Sequence, residues 1–194
     1  MSFLNGLHPK SNSLATKSVE MAGLISWTGL EDDRLKHHSG TATYRKTFTT
    51  QAVPNKLRFL VDLGDVQVIA RVSVNGKDCG IAWKKPYQVD VTAALKPGEN
   101  TIEVTVANLW VNRIIGDQRF PDDDEWTRET GSTAAGQGLA RIPDWVKNQT
   151  PRPNPDRKAF CGWKWPHMTA DRKLLPSGLL GPVRLLEMSA KPRR

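Results

Sequence analysis

The sequence predicts an all-β protein, an antiparallel β-sandwich interrupted by one long irregular insertion. Three observations lead there. Apolar and polar residues alternate in short runs between residues 40 and 107. Compact turn signals separate those runs, a pattern of sandwiches and jelly rolls rather than of βαβ units. The alternation then stops over residues 109–178, a stretch rich in Pro, Gly and Trp.

The strands can be justified in order. Ala42, Tyr44 and Phe48 share one face of the first predicted strand. Leu57, Phe59 and Val61 alternate with Arg58 and Asp62 in the second. Residues 66–74 carry the clearest signal: Val66, Val68, Ala70, Val72 and Val74 on one face, and Gln67, Arg71 and Ser73 opposite. A period of two is what a half-buried strand requires. Slipping that register by one residue would bury Arg71, so all five apolar residues are expected inward. Asn75-Gly76 follows at once and is the strongest two-residue hairpin signal. A return strand is expected over residues 77–81. Tyr87, Val89 and Val91 alternate again, Lys96-Pro97-Gly98-Glu99-Asn100 supplies a turn, and Ile102, Val104 and Val106 form the next inward face. A closing strand is expected over residues 183–187, introduced by Gly181-Pro182.

Residues 1–23 read as a flexible N-terminal arm, residues 24–188 as the sandwich with its insertion, and residues 189–194 as a basic tail. A structureless loop as long as 109–178 is improbable in a compact domain, so this segment is expected to lie over one end of the sandwich. Pro143 opens a short predicted helix within it. Trp27 and Trp110 are expected in the core.

The chain has 194 residues and a formal charge of +8. Its charges are scattered: residues 119–130 hold five acids against two arginines, whereas 141–173 hold eight Lys/Arg against three Asp. Such scatter reads as solvated surface, not a nucleic-acid footprint. No run approaches the ~20 apolar residues that span a bilayer, and no signal peptide is apparent in these residues. Cys79 and Cys161 read as two thiols; a single bridge is the alternative.

An ordered series of motifs carries a resemblance. It begins with Ser39-Gly40-Thr41-Ala42-Thr43-Tyr44-Arg45-Lys46-Thr47-Phe48 and continues through Asp62-Leu63-Gly64, Val74-Asn75-Gly76-Lys77, Gly80-Ile81-Ala82-Trp83 and Pro86-Tyr87. Lys96-Pro97-Gly98-Glu99-Asn100, Asn108-Leu109-Trp110, Asn112-Arg113-Ile114-Ile115-Gly116-Asp117 and Ser177-Gly178-Leu179-Leu180-Gly181-Pro182-Val183 complete it. The series resembles the sugar-binding, galactose-binding-like jelly-roll domain of family 2-like glycoside hydrolases, and more closely the equivalent domain near the C-terminus of bacterial α-L-rhamnosidases. His38 departs from it, standing where an aromatic, usually Phe, is expected. The resemblance implies a non-catalytic accessory domain, with the catalytic carboxylates on a separate α/β barrel, and a periplasmic or secreted location. A barrel needs about 250 residues, more than this chain has. No catalytic residue is therefore carried over.

The tryptophans are the candidate ligand-binding residues. Trp83 follows a hairpin, and Trp126, Trp145, Trp163 and Trp165 fall in the insertion. Aromatic faces suit the apolar C–H faces of sugar rings, although a long loop also needs aromatic anchors of its own. Arg113 is a candidate polar partner. Asp122, Asp123 and Asp124 rank first as a solvated or salt-bridged loop, second as a calcium site, and third as a catalytic pair. No other cofactor is expected. The expected partner is a glycan or oligosaccharide, or a glycoside hydrolase catalytic domain docking on the Trp-rich segment. A small autonomous glycosidase is the remaining alternative.

Overall fold

The computed structural model describes residues 20–51, 53, 57–127 and 136–188, together with the backbone of 2–5, 16–18 and 189. Most of the predicted N-terminal arm and basic tail lies outside these residues, as do Arg128 and Glu129 of the acidic stretch. The strands are β1 (Ser2–Asn5), β2 (Thr16–Ser18), β3 (Gly40–Thr50), β4 (Leu57–Asp62), β5 (Asp65–Gln67), β6 (Ile69–Val74) and β7 (Lys77–Ala82). They continue as β8 (Gln88–Asp90), β9 (Gly98–Ala107), β10 (Gln137–Gly138), β11 (Trp163–Lys164), β12 (Gly178–Gly181) and β13 (Arg184–Ser189). Among the described residues three short α-helices interrupt them, α1 (Asp33–Lys36), α2 (Val111–Asp117) and α3 (Asp144–Lys147), with single 3-10 turns at Trp27–Gly29 and Thr92–Ala94.

One layer is a six-stranded sheet in the order β2-β1-β3-β9-β6-β7; the other combines β13-β4-β8 with the pair β12-β5. Every pairing within these strands is antiparallel. The protein is thus the expected all-β sandwich. Its core forms where inward residues of both layers meet: Ala42, Tyr44, Val72, Val104 and Val106 from one, Phe59, Val61, Val66, Val89 and Leu179 from the other. Each fully buried apolar side chain of this size stabilises the fold by roughly 1.5–3 kcal/mol relative to exposure.

Asn75 and Gly76 both take positive φ, 52° and 77°, the requirement of a type I′ hairpin turn. Asn100, buried at the start of β9, ties that hairpin to its surroundings. Its Nδ2 donates to Thr50 Oγ1 and to the Lys96 and Gly98 carbonyls, and its Oδ1 accepts from Asn75 Nδ2 at 2.8 Å.

Two expectations are corrected. Val68 is 39% exposed rather than inward, while Val66, Ala70, Val72 and Val74 are buried as expected. Residues 66–74 are not one strand. Val66 pairs with Leu179 in the second layer, whereas Ile69 pairs with Ala107 in the first. Val68 is the crossing residue; its N–H donates to the Ala107 carbonyl at 3.1 Å and its side chain faces out. Trp110 is also exposed, at 58%. It caps the start of α2, while its neighbours Asn108 and Asn112 turn inward to make hydrogen bonds.

Those hydrogen bonds fix the start of the insertion to the sandwich and tie its two ends to each other. Asn108 accepts from Gly40 N and donates to the His38 carbonyl. Asn112 Nδ2 donates to the Leu175 carbonyl at 2.7 Å, and its Oδ1 accepts from Leu175 N at 2.8 Å. Beside this clamp, Trp27 Nε1 and Leu179 N both donate to the Tyr44 hydroxyl, at 2.6 and 3.0 Å. Gly178 passes so close that a Cβ there would lie 2.3 Å from Trp27 Nε1, so only glycine fits.

Candidate functional site

Within the insertion the backbone builds a small ladder of its own. β10 pairs with β11, and Trp126 forms an antiparallel bridge to Leu139. Thr127 N donates to the Gly138 carbonyl and Ala140 N to the Glu125 carbonyl. This ladder brings the 126 and 163 regions together although they are far apart in sequence. α3 follows Pro143, as the sequence predicts, and sets Trp145 edge-on against Phe160 with ring centroids 5.2 Å apart.

The acidic run packs against the basic stretch that follows it. Arg152 grips Asp123 with two parallel bonds, Nε to Oδ2 at 2.7 Å and Nη2 to Oδ1 at 2.6 Å, and reaches Asp124 Oδ2 at 3.0 Å. That bidentate fork is the strong geometry for an arginine–carboxylate pair. Arg157 lies 3.4 Å from Asp122 and 3.5 Å from Asp123, and its Nη1 donates to the Asp117 and Phe120 carbonyls. Lys164 bonds Asp122 Oδ2 at 2.6 Å, and Trp126 Nε1 donates to the same oxygen at 2.8 Å. Asp117 anchors the far side, accepting the N–H groups of Lys158 and Ala159 at 2.8 and 2.6 Å.

Burial and partners act in opposite directions on these carboxyl groups. Burial pushes Asp122 and Asp123 up, but Lys164 and Arg157 for the first, and chiefly Arg152 for the second, outweigh it and hold both below the usual carboxylate value. Asp124 goes the other way. Burial raises it, the attraction of Arg152 only partly offsets that, and the charges of Asp123 and Asp122 raise it further.

The three aspartates do converge, with ligand atoms within 4.8 Å of one another. All but Asp124 Oδ1 of their oxygens lie against Arg152, Arg157 or Lys164, cations that a calcium ion would have to displace. Cations this close to the carboxylates oppose a calcium ion there.

Trp126, Trp163 and Trp165 line one cleft, together with Lys164, Met168, Ile114, Asp117, Asp124 and Arg157. Its open volume is about 30 Å³. Lys164 Nζ sits 5.7 Å from the Trp126 ring centroid. The other expected site residues lie elsewhere. Trp145 stacks under Arg152, with the guanidinium 5.2 Å from its ring, and so braces the ion-pair cluster. Trp83 stands at the end of β7, 64% exposed, beneath the Lys84 ammonium. Arg113 points to structure: its Nη1 is 3.6 Å from Asp117 Oδ1 and its Nη2 donates to the Arg34 carbonyl. Sequence reasoning missed Asp117, Arg152 and Arg157. The signal that points to them is the opposite charge of the two halves of the insertion, because a buried loop needs its charges paired.

Comparison with known proteins agrees with this architecture. The family of glycosyl hydrolase 2 galactose-binding domain-like sequences matches residues 22–180. A protein of Formosa agariphila that carries a β-glucuronidase name is 41% identical over 177 residues, covering 90% of this chain and 14% of that protein. The rhamnosidase of Novosphingobium sp. PP1Y has the same fold, with a TM-score of 0.63 and 31% identity, over 97% of this chain and 15% of its own. The chain therefore spans about one-seventh of the length of these relatives. With the fold, the motif series and the match over most of its length in agreement, the chain belongs to the galactose-binding domain-like family of glycosyl hydrolase 2 proteins.

Proposed function

We propose that this domain is a non-catalytic, carbohydrate-binding accessory module of a larger glycoside hydrolase, and that the cleft of Trp126, Trp163 and Trp165 receives the glycan. The observation that carries this reading is the convergence of Trp126 with Trp163 and Trp165, which lie far from it in sequence, over a base of paired charges. Large aromatic faces with a few fixed polar groups are the chemistry of sugar recognition. The ion pairs beneath hold the aromatics in place, so little conformational freedom is lost on binding.

A second reading has its own observation. Ile69, Ile81, Trp83, Leu109 and Trp110 are all exposed, and cross-strand register sets Ile69, Ile81 and Trp83 close together at one end of the six-stranded sheet. Such a patch suits contact with a catalytic domain. Titration with a panel of plant cell-wall oligosaccharides, read by tryptophan fluorescence, separates the two. Saturable binding that Trp163→Ala abolishes and Trp83→Ala leaves intact supports the glycan site. No response to any oligosaccharide, with fluorescence changes only on adding a catalytic barrel and only in proteins that keep Trp83, would replace it with the docking reading.

A further inference from the structure

Buried polar atoms in folded proteins nearly always have a hydrogen-bond partner, and each exception marks something missing. Among the described residues, four buried side-chain atoms have none: Asp117 Oδ1, Asp124 Oδ1, Arg157 Nε and Trp145 Nε1. The first three belong to residues that line the aromatic cleft. Two of these have a distant charge partner, Arg113 at 3.6 Å for Asp117 Oδ1 and Asp123 at 3.5 Å for Arg157 Nε. Asp124 Oδ1 has neither, on a side chain that is only 2% exposed.

From this we infer that the base of the cleft receives a hydroxyl group of a neutral sugar and disfavours a uronate. The inference rests on the glycan reading above and sharpens it. The open volume of about 30 Å³ exceeds the roughly 10–15 Å³ that a single water needs, so the space admits a group of hydroxyl size. The vacant valences are two carboxylate acceptors and one N–H donor. A hydroxyl answers the donor and the one acceptor that has no charge partner: its hydrogen goes to Asp124 Oδ1 and its own oxygen accepts from Arg157 Nε, while Asp117 Oδ1 keeps Arg113 at 3.6 Å. A sugar carboxylate has no hydrogen to give and would set its charge against Asp117 and Asp124. No net field favours an anion, because Asp117, Asp122, Asp123 and Asp124 are paired with Arg113, Arg157, Arg152 and Lys164. Trp126 and Trp163 then supply the apolar walls for the ring carbons.

Matched methyl glycosides test this on the full chain: glucoside against glucuronide, and galactoside against galacturonide. The indole N–H signals of Trp126 and Trp163 are followed by NMR at millimolar ligand. The neutral sugar of at least one pair is expected to bind more tightly than its uronate by about tenfold, equivalent to about 1.4 kcal/mol. Asp124→Asn, which removes the charge and keeps the shape, is expected to narrow that ratio to less than about threefold. Should Asp124→Asn fail to fold, the ratio in the unaltered protein still decides the matter. Uronates that bind as well as the neutral sugars, with the same indole signals moving, would overturn the inference and leave the glycan reading intact. No movement with either class would overturn both, and the three atoms would then be satisfied by a buried water alone.

Discussion

Val72, Val74 and Val106 of the sandwich are fully buried, and the core around them is almost wholly apolar. Over residues 109–177 the balance is reversed. Ile115 is the single large hydrophobic buried there among the described residues, beside Asn112, Asp117, Arg157 and Ser177. The sandwich is held by contact area, which is non-directional and tolerant of repacking. The insertion is held by named pairs in fixed geometry, Arg152 with Asp123 and Asn112 with Leu175. A region built in this second way adds little net stability, since the desolvation of buried charges offsets their attraction. In return it holds exposed aromatic side chains in defined positions, which an apolar loop core would do less specifically.

The largest expected effect breaks this comparison at its weakest point. Arg152→Ala leaves Asp124 without its cation and Asp123 with only Arg157 at 3.5 Å, and removing one partner of a buried pair destabilises by about 3–5 kcal/mol. The loss should fall on the insertion and spare the sandwich. Thermal melts read by tryptophan fluorescence should gain an early transition, while amide protection in β3, β6 and β9 persists. One cooperative transition, shifted as a whole, would show instead that the two regions fold as a unit.

A smaller effect concerns the seam between them. His38 is buried edge-on against Trp27, with ring centroids 5.5 Å apart, and its Nε2 faces the Thr41 carbonyl at 3.3 Å. It fills the aromatic position expected before Ser39-Gly40. Burial is the main cause that lowers its pKa below 6.5, opposed by the Thr41 bond and aided by the charge of Arg113. For a base depressed in the folded state the sign is clear. Neither state is charged above 6.5, so nothing is lost there; as pH falls below 6.5 the unfolded chain takes up the proton first, and stability declines. Urea denaturation at several pH values should show that decline in the native protein and a flatter profile in His38→Phe. Parallel profiles would assign the acid sensitivity to other groups.

How much of this was legible beforehand follows from the same contrast. Alternation is a local signal, so Val72, Val89 and Val104 could be placed inward from sequence, and Asn75-Gly76 named its own turn. The polar anchors carry no local signal: Asp123 meets Arg152 across 29 positions, and only the fold brings them together. The aromatics divided for a related reason. Trp126, Trp163 and Trp165 share a cleft because the small ladder aligns their segments, whereas Trp145 went beneath Arg152 and Trp83 to the far end of β7. Trp110 misled because a large aromatic at the end of a strand reads as core, yet the inward positions there belong to Asn108 and Asn112.

Val68 shows the limit of periodicity itself and gives the smallest expected effect. Its side chain continues the apolar face of residues 66–74 in sequence, but the chain changes sheets beside it. A residue at such a crossing is released from the face its neighbours occupy, because the backbone turns to meet a new partner. Val68→Thr keeps the β-branched shape and adds a hydroxyl that water can reach, since the side chain is 39% exposed. The change should therefore stay within about 0.5 kcal/mol. The same substitution at Val72, with no exposure at all, places a hydroxyl in the apolar core and should destabilise by about 1–3 kcal/mol. Urea midpoints of the two variants, measured side by side, sharpen the point. If Val68→Thr proved as damaging as Val72→Thr, then residues 66–74 would form one continuous inward face, and the crossing between the sheets would have to lie elsewhere.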